Sequence, residues 1–421
     1  MNIKSIIKRI FQNSLYLIFG RITSGLLLFL LIVIMANKFG AEGIGYYSMI
    51  IISAELINKI SDLGLTKYSI KKIARNNEQF SNMFASIITT KFISTILFYL
   101  IFTLLIMNIF EEQYTKNLLI LGGSLSIIFS LNYSLLLIFF AFEKMKFIFY
   151  HTLIKSAIIV MLASSLFMLN YNFSWLIISI FIGNLISFLF GYLILIYKFP
   201  KFKYIINFSL IKKIIYKSFW FWLISIIILL SFQLNTIMLF IMKGNISTGI
   251  YQGAYKILNN SENLIILFIV SMYPVFSKYN KISKLKLIKL YKKLKLITLI
   301  LILLGNIIIF TISDFIITNI FPKEFIYSIT ILKLLLIPSS IILLSLLNTY
   351  YIFIIGKLKH LFLILFSGLI LNILLNYIFI LKWDYYGVII GGSISFSIIY
   401  VFQQLYINNI NSKITLTKLN Q

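Results

Sequence analysis

Between Phe11 and Ile407 the chain consists of about twelve apolar runs long enough to cross a bilayer, joined by short connections rich in lysine. The runs extend approximately over 11–35, 44–65, 84–109, 118–142, 147–169, 173–197, 218–242, 249–276, 296–320, 325–355, 361–381 and 386–407. A hydrocarbon core about 30 Å thick needs about 20 helical residues to span it. Inside that core every backbone N–H and C=O must be satisfied internally, which restricts the chain to helices or a closed barrel. Alternation of period two is missing from these runs, so the sequence predicts an all-α integral membrane protein.

Composition excludes the other classes. Hydrophobic residues make up 60% and charged residues only 12%, about half the charged share of a soluble domain. The net charge of +27 would suit nucleic acid. A nucleic-acid binder, however, gathers its charge on a water-soluble face, and these lysines lie between apolar runs. The absence of cysteine removes disulfides and thiolate metal sites. His151 and His360 are the only histidines, so no metal site is expected, and no cofactor. The first run exceeds a signal-peptide core and is expected to remain as an anchor.

Orientation follows from the basic residues. With the N-terminus inside, the cytoplasmic segments carry 27 lysines and arginines against 5 in the opposite connections (Lys38, Lys116, Lys243, Lys323 and Lys382). Both termini are then expected to be cytoplasmic. The basic stretch 198–217 falls near the middle. It suggests an N-terminal lobe over 1–200 with spans 1–6, a cytoplasmic linker over 201–217 and a C-terminal lobe over 218–421 with spans 7–12. In a second basic connection, Ile282, Leu285, Ile288, Tyr291 and Leu294 recur about one turn apart. That spacing fits either a helix lying on anionic lipid or an ordinary connecting helix.

Polar residues within the spans carry the functional signal. Arg21 lies about ten residues into the first run and shares a face with Ser14, Ser24 and Gly25. An arginine at that depth faces water, a counter-charge or an anionic substrate, or else snorkels to the headgroups. On the second run Ser48, Glu55, Lys59 and Asp62 fall on one side, with Glu55 and Lys59 spaced to pair. On the eighth, Gly249, Gln252, Lys256, Asn259, Asn260 and Asn263 form a stripe, and the nearest acid, Glu262, stands off that face. Such stripes face a cavity or a neighbouring helix. Asn372 and Asn376 read as interhelical glue. Lys91, Lys155 and Lys333 read as snorkelling residues near span ends. A faint internal repeat pairs Gly43-Ile-Gly45-Tyr-Tyr47 with Ser247-Thr-Gly249-Ile-Tyr251. Each reads as a glycine-rich turn leading into a span.

Several stretches together resemble one family. They are Lys38-Phe-Gly-Ala-Glu-Gly-Ile-Gly-Tyr46, Ser61-Asp-Leu-Gly-Leu65 with Ile73-Ala-Arg75, Gly249-Ile-Tyr-Gln-Gly-Ala-Tyr-Lys-Ile257, Tyr273-Pro-Val-Phe276, Gly356-Lys-Leu-Lys359, Asn372-Ile-Leu-Leu-Asn376 and Tyr386-Gly-Val-Ile-Ile-Gly391. In this order and spacing the chain resembles the bacterial polysaccharide flippases, which translocate O-antigen and capsule repeat units. They belong to the multidrug/oligosaccharidyl-lipid/polysaccharide exporter superfamily. The resemblance implies a MATE-like transporter fold of two six-helix lobes related by a pseudo-two-fold axis along the membrane normal. It also implies a cleft lined by spans 1, 2, 7 and 8, and an undecaprenyl-pyrophosphate-linked oligosaccharide as substrate. The host membrane would be the bacterial cytoplasmic membrane. Besides membrane lipids, a polysaccharide polymerase and a chain-length regulator would be partners. The candidate substrate residues are then Arg21, Ser24, Asp62, Gln252, Lys256, Asn259, Asn260 and Asn263, with Glu55, Asp62 and Glu262 as candidates for ion coupling. Where the family often has an acid near the outer end of span 7, this chain has Gln233-Leu-Asn235, so the resemblance does not extend to cation coupling there. No P-loop occurs, and the expected activity is transport rather than catalysis. A small-molecule exporter of the same superfamily, or a membrane enzyme of polysaccharide assembly, are the competing readings.

Overall fold

The computed structural model describes residues 3–73, 80–198 and 208–419. Within them the chain is helical throughout, with no strand among the described residues. The helices are α1 (Ile3–Ser61), α2 (Leu65–Ile73), α3 (Phe80–Ile109), α4 (Gln113–Ala141), α5 (Met145–Met168), α6 (Trp175–Lys198), α7 (Phe208–Ser271), α8 (Tyr273–Ile282), α9 (Lys284–Ile320), α10 (Tyr327–Ile355) and α11 (Leu358–Leu419). Nine of them are long and apolar enough to cross a membrane. The outward surface supports that reading. Leu100, Leu104 and Leu105 of α3 and Leu303, Leu304, Ile307 and Ile308 of α9 each stay more than half exposed. A soluble protein would bury such continuous apolar faces, and here lipid covers them.

Three helices contain a break. Gly40 in α1 (φ 63°) and Gly244 in α7 (φ 80°) take left-handed backbone conformations, as does Asp384 in α11 (φ 51°). Glycine adopts a positive φ without a Cβ clash, whereas Asp384 holds it as a non-glycine residue. At each break the chain turns back. Thr236 and Gln252 lie eight residues on either side of Gly244, yet their side chains hydrogen-bond at 2.5 Å. A straight helix would hold them about 24 Å apart. In α11, Asn372 donates to Ser395 at 2.7 Å, and His360 stacks on Tyr406. In α1 the reversal follows from the neighbours. Gly20 abuts Phe149 and Thr152 while Lys38 bonds Phe167 O and Asn170, so the first limb runs with α5. Tyr46 meets Thr115 and Ile50 meets Gly122, so the second limb runs with α4. Since α4 and α5 are joined by a tight turn and bonded through Asn132 and His151, they are antiparallel, and so are the two limbs.

The glycine-rich stretches were expected to be turns, but only Gly40 and Gly244 turn. Helix resumes immediately after each, and Gly43, Gly45, Gly249 and Gly253 lie inside the second limbs. The two breaks lie 204 residues apart (244 minus 40), the same offset that aligns Gly45 with Gly249.

Two compact units result. The first comprises Met1–Phe39 and Tyr46–Ile226, the second Gly40–Gly45 and Ile227–Gln421. The expected linker over 201–217 is partly outside the described residues, and from Phe208 onward it is already the first limb of α7. Ser218 is buried in the first unit, where its hydroxyl donates to Leu63 O at 2.9 Å. Arg75, Lys201 and Lys203 lie outside the described residues.

The interior of each unit is largely apolar but carries hydrogen-bonded polar side chains within it. In the first, Asn132 donates to Ile128 O and to Asn184 O at 3.0 and 3.1 Å, while its Oδ1 lies 2.6 Å from His151 Nε2. With both amide hydrogens committed to carbonyls, Oδ1 can only accept, so the imidazole carries its proton on Nε2. In the second, Asn376 donates to Asn235 and Asn372, and Asn372 to Ser395. These side chains join helices in an environment that offers no water as an alternative partner. The Asn372 and Asn376 pair is thus interhelical glue, as its spacing suggests.

The N-terminal part of α9 decides between the two expectations for the basic connection. Ile288, Tyr291 and Leu294 are buried against the second unit, and Tyr291 donates to Asn348 Oδ1 at 2.6 Å. The apolar stripe faces protein, while Lys284, Lys286, Lys289, Lys292 and Lys293 are exposed.

Candidate functional site

In the first unit, Arg21 is exposed on the first limb of α1, and Ser24, one turn further on, is half-buried. Ser24 spends its hydroxyl on Arg21 O at 3.3 Å. Glu55 is half-buried on the second limb. Its charge acts on Tyr47 of its own limb, on Tyr133 of α4 and on Lys155 of α5. Arg21 acts on the same Tyr133 and Lys155. Four helical segments therefore bring Arg21, Glu55, Tyr133 and Lys155 into one electrostatic cluster. Tyr133 keeps 46% of its surface accessible.

Asp62 lies in a different setting. It is buried, its carboxylate lies 2.8 Å from Lys91 Nζ, and it accepts a hydrogen bond from Thr66. Lys91, 1% exposed, also reaches Thr66 Oγ1 at 2.9 Å. Lys59 lies in the field of both Asp62 and Glu55, so the group of Asp62 and Lys91 extends to the Glu55–Lys59 stripe. Lys91 does not snorkel: the kink at the end of α1 brings a carboxylate to it. Lys333 likewise pairs with Asp314 at 2.8 Å. Lys155 was expected near a span end, but α5 starts at Met145, which sets it ten residues from one end and thirteen from the other.

In the second unit, the stripe of α7 divides. Gln252 is buried and occupied by Thr236. Asn263 donates to Asn259 at 2.5 Å. Lys256 is half-buried and Asn260 exposed. Glu262 is 4% exposed and hydrogen-bonded to Ser339, and it lines a pocket with Asn235, Tyr251, Tyr255, Phe232 and Pro338. Among the described residues no group of three or more His, Asp or Glu could hold a metal ion. What spacing could not reveal were Lys91 and Tyr133, which come to their partners from other helices.

A family model described as polysaccharide biosynthesis protein matches residues 10–280. The chain belongs to that family. None of the curated proteins matches it in sequence. Among solved structures, an inward-facing multidrug resistance MATE family transporter of the MOP superfamily superposes with a TM-score of 0.75 at 13% identity, covering 95% of each chain. The lipid II flippase MurJ in its inward closed conformation gives 0.73 at 18% identity, covering 97% of this chain and 91% of that one. A MOP superfamily transporter from Pyrococcus furiosus, whose reversed pocket polarity suggests a different function for it, gives 0.63 at 12% identity, covering 94% and 96%. At such identities the likeness is one of fold. The chain has an all-α, multi-pass membrane architecture of the MATE type.

Proposed function

We propose that this chain is a flippase that carries an undecaprenyl-pyrophosphate-linked oligosaccharide from the inner to the outer leaflet of the bacterial cytoplasmic membrane by alternating access. Nine apolar helices, three of them reversed, would make twelve crossings, which returns the chain to its starting side with both termini cytoplasmic. The observation that carries the reading is the exposed Arg21 within an apolar span of a polysaccharide biosynthesis family member. A charge at that depth is costly unless an anion or water meets it, and a guanidinium fork matches two phosphoryl oxygens. Lys256, half-buried in the second unit, supplies a further cation. The glycan and diphosphate cross in contact with the polar faces while the prenyl tail remains in lipid, so no bond is broken and no catalytic group is required.

Deleting the gene tests this. Lipid-linked repeat units should accumulate on the cytoplasmic leaflet and surface polysaccharide should vanish, with the glycosyltransferases still active. Normal surface polysaccharide together with increased sensitivity to cationic dyes would replace the reading with a small-molecule exporter. The buried Glu262 carboxylate is the feature that favours that second reading.

A further inference from the structure

Lys155 is a cation of the first unit's charged cluster that the proposed function has not used. It stands near the middle of α5, ten residues after Met145 and thirteen before Met168. That is about 15 Å of helix to the nearer end, farther than a lysine side chain about 6 Å long can snorkel. Its side chain is half-buried, and among the described residues its ammonium makes no hydrogen bond and no ion pair within 4 Å. Lys91 and Lys333 differ in this respect, since Lys91 is held by Asp62 and Thr66, and Lys333 by Asp314.

The packing places Lys155 toward the first limb of α1. Gly20 meets Phe149 and the Thr152 hydroxyl, so the residue before Arg21 lies one turn of α5 away from Lys155. One turn back, His151 is buried and bonded to Asn132, which fixes the register of α5. On the far side of the helix, Gly183 of α6 packs on the Lys155 carbonyl and Ile159. Glu55 and Arg21 both act electrostatically on Lys155. Tyr133, also in the cluster, keeps an accessible surface and a hydroxyl that can donate.

We infer that Lys155 is a second cation of an anion-binding site in the first unit, which together with Arg21 takes the diphosphate of a prenyl-diphosphate-linked substrate. This inference rests on the proposed function and adds to it a residue and a helix. A diphosphate spreads its charge over two phosphoryl groups. A site with cations on two helices can serve both, whereas a monophosphate needs only one.

The test uses the purified full-length protein in lipid nanodiscs, with farnesyl diphosphate and farnesyl monophosphate as probes. Wild type should bind the diphosphate at least ten times more tightly than the monophosphate. Lys155→Gln should lose most of that preference and Lys155→Arg should keep it. Glu55→Gln, Lys155→Gln should bind as weakly as Lys155→Gln alone. Restored diphosphate binding in this double variant would instead make Lys155 a charge balance for Glu55 and overturn the assignment. So would a Lys155→Gln protein that binds like wild type, or one that no longer folds by size-exclusion chromatography. If wild type binds neither probe, the flippase reading itself falls. If wild type discriminates and Lys155→Gln does so equally, only this inference falls.

Discussion

The clearest residue-scale feature is the Asp62–Lys91 pair, buried at the end of α1 with Thr66 bonded to both partners. Removing one charge of a buried pair strands the other, at a cost of about 3–5 kcal/mol, whereas replacing both with apolar residues can be neutral. Asp62→Asn should therefore sharply reduce the yield of monodisperse protein, and Asp62→Leu, Lys91→Met should recover it, as read by fluorescence-detected size exclusion. Arg21, exposed and away from this pair, should behave differently. Arg21→Gln should give normal yield but abolish polysaccharide export, and Arg21→Lys should retain part of it, since a lysine keeps the charge without the fork. The sequence showed where charges sit along each run but not which neighbour they meet. Spacing read Lys91 as a snorkelling residue, and the fold paired it with Asp62, because contacts across helices leave no trace in the period of one helix.

At the scale of elements, the reversals determine what packs on what. Gly244 needs its positive φ, but a Cβ there would meet nothing within 4 Å, so Gly244→Ala should cost only backbone strain of about 1–3 kcal/mol. Gly45 has ordinary helical neighbours, yet a Cβ there would overlap the Asn245 carbonyl, just as one on Gly249 would overlap that of Ala41. Gly45→Ala should lower the melting temperature more than Gly244→Ala, measured by intrinsic fluorescence in detergent. The reverse order would mean that the close approach can relax. The glycine-rich stretches were visible in the sequence, but their division of labour was not. Composition marks where glycine is needed without saying whether a turn or a close contact needs it. The apolar runs were more legible, because the bilayer imposes one length on all of them.

At the scale of the whole molecule, the lysine bias predicts the sidedness. The chain has no cysteine, so single cysteines can be added without removing any. A cysteine at Lys289 should resist an impermeant maleimide added outside intact cells, and one at Lys323 should react. The opposite pattern would invert the topology. The hydrogen bond between Asn376 and Asn235 has a consequence for how such a chain is made. The two residues are 141 positions apart and lie on α11 and α7. Synthesis delivers α7 first, so the Asn235 amide enters the membrane long before the ribosome reaches its partner. Until then it must be shielded by the insertion machinery or by provisional neighbours within α7, of which Tyr251, hydrogen-bonded to it across the Gly244 reversal, is already at hand. A nascent chain halted before residue 376 would therefore hold a completed first unit beside a second whose central amide still lacks its partner, and that is the stage at which quality control would recognise it.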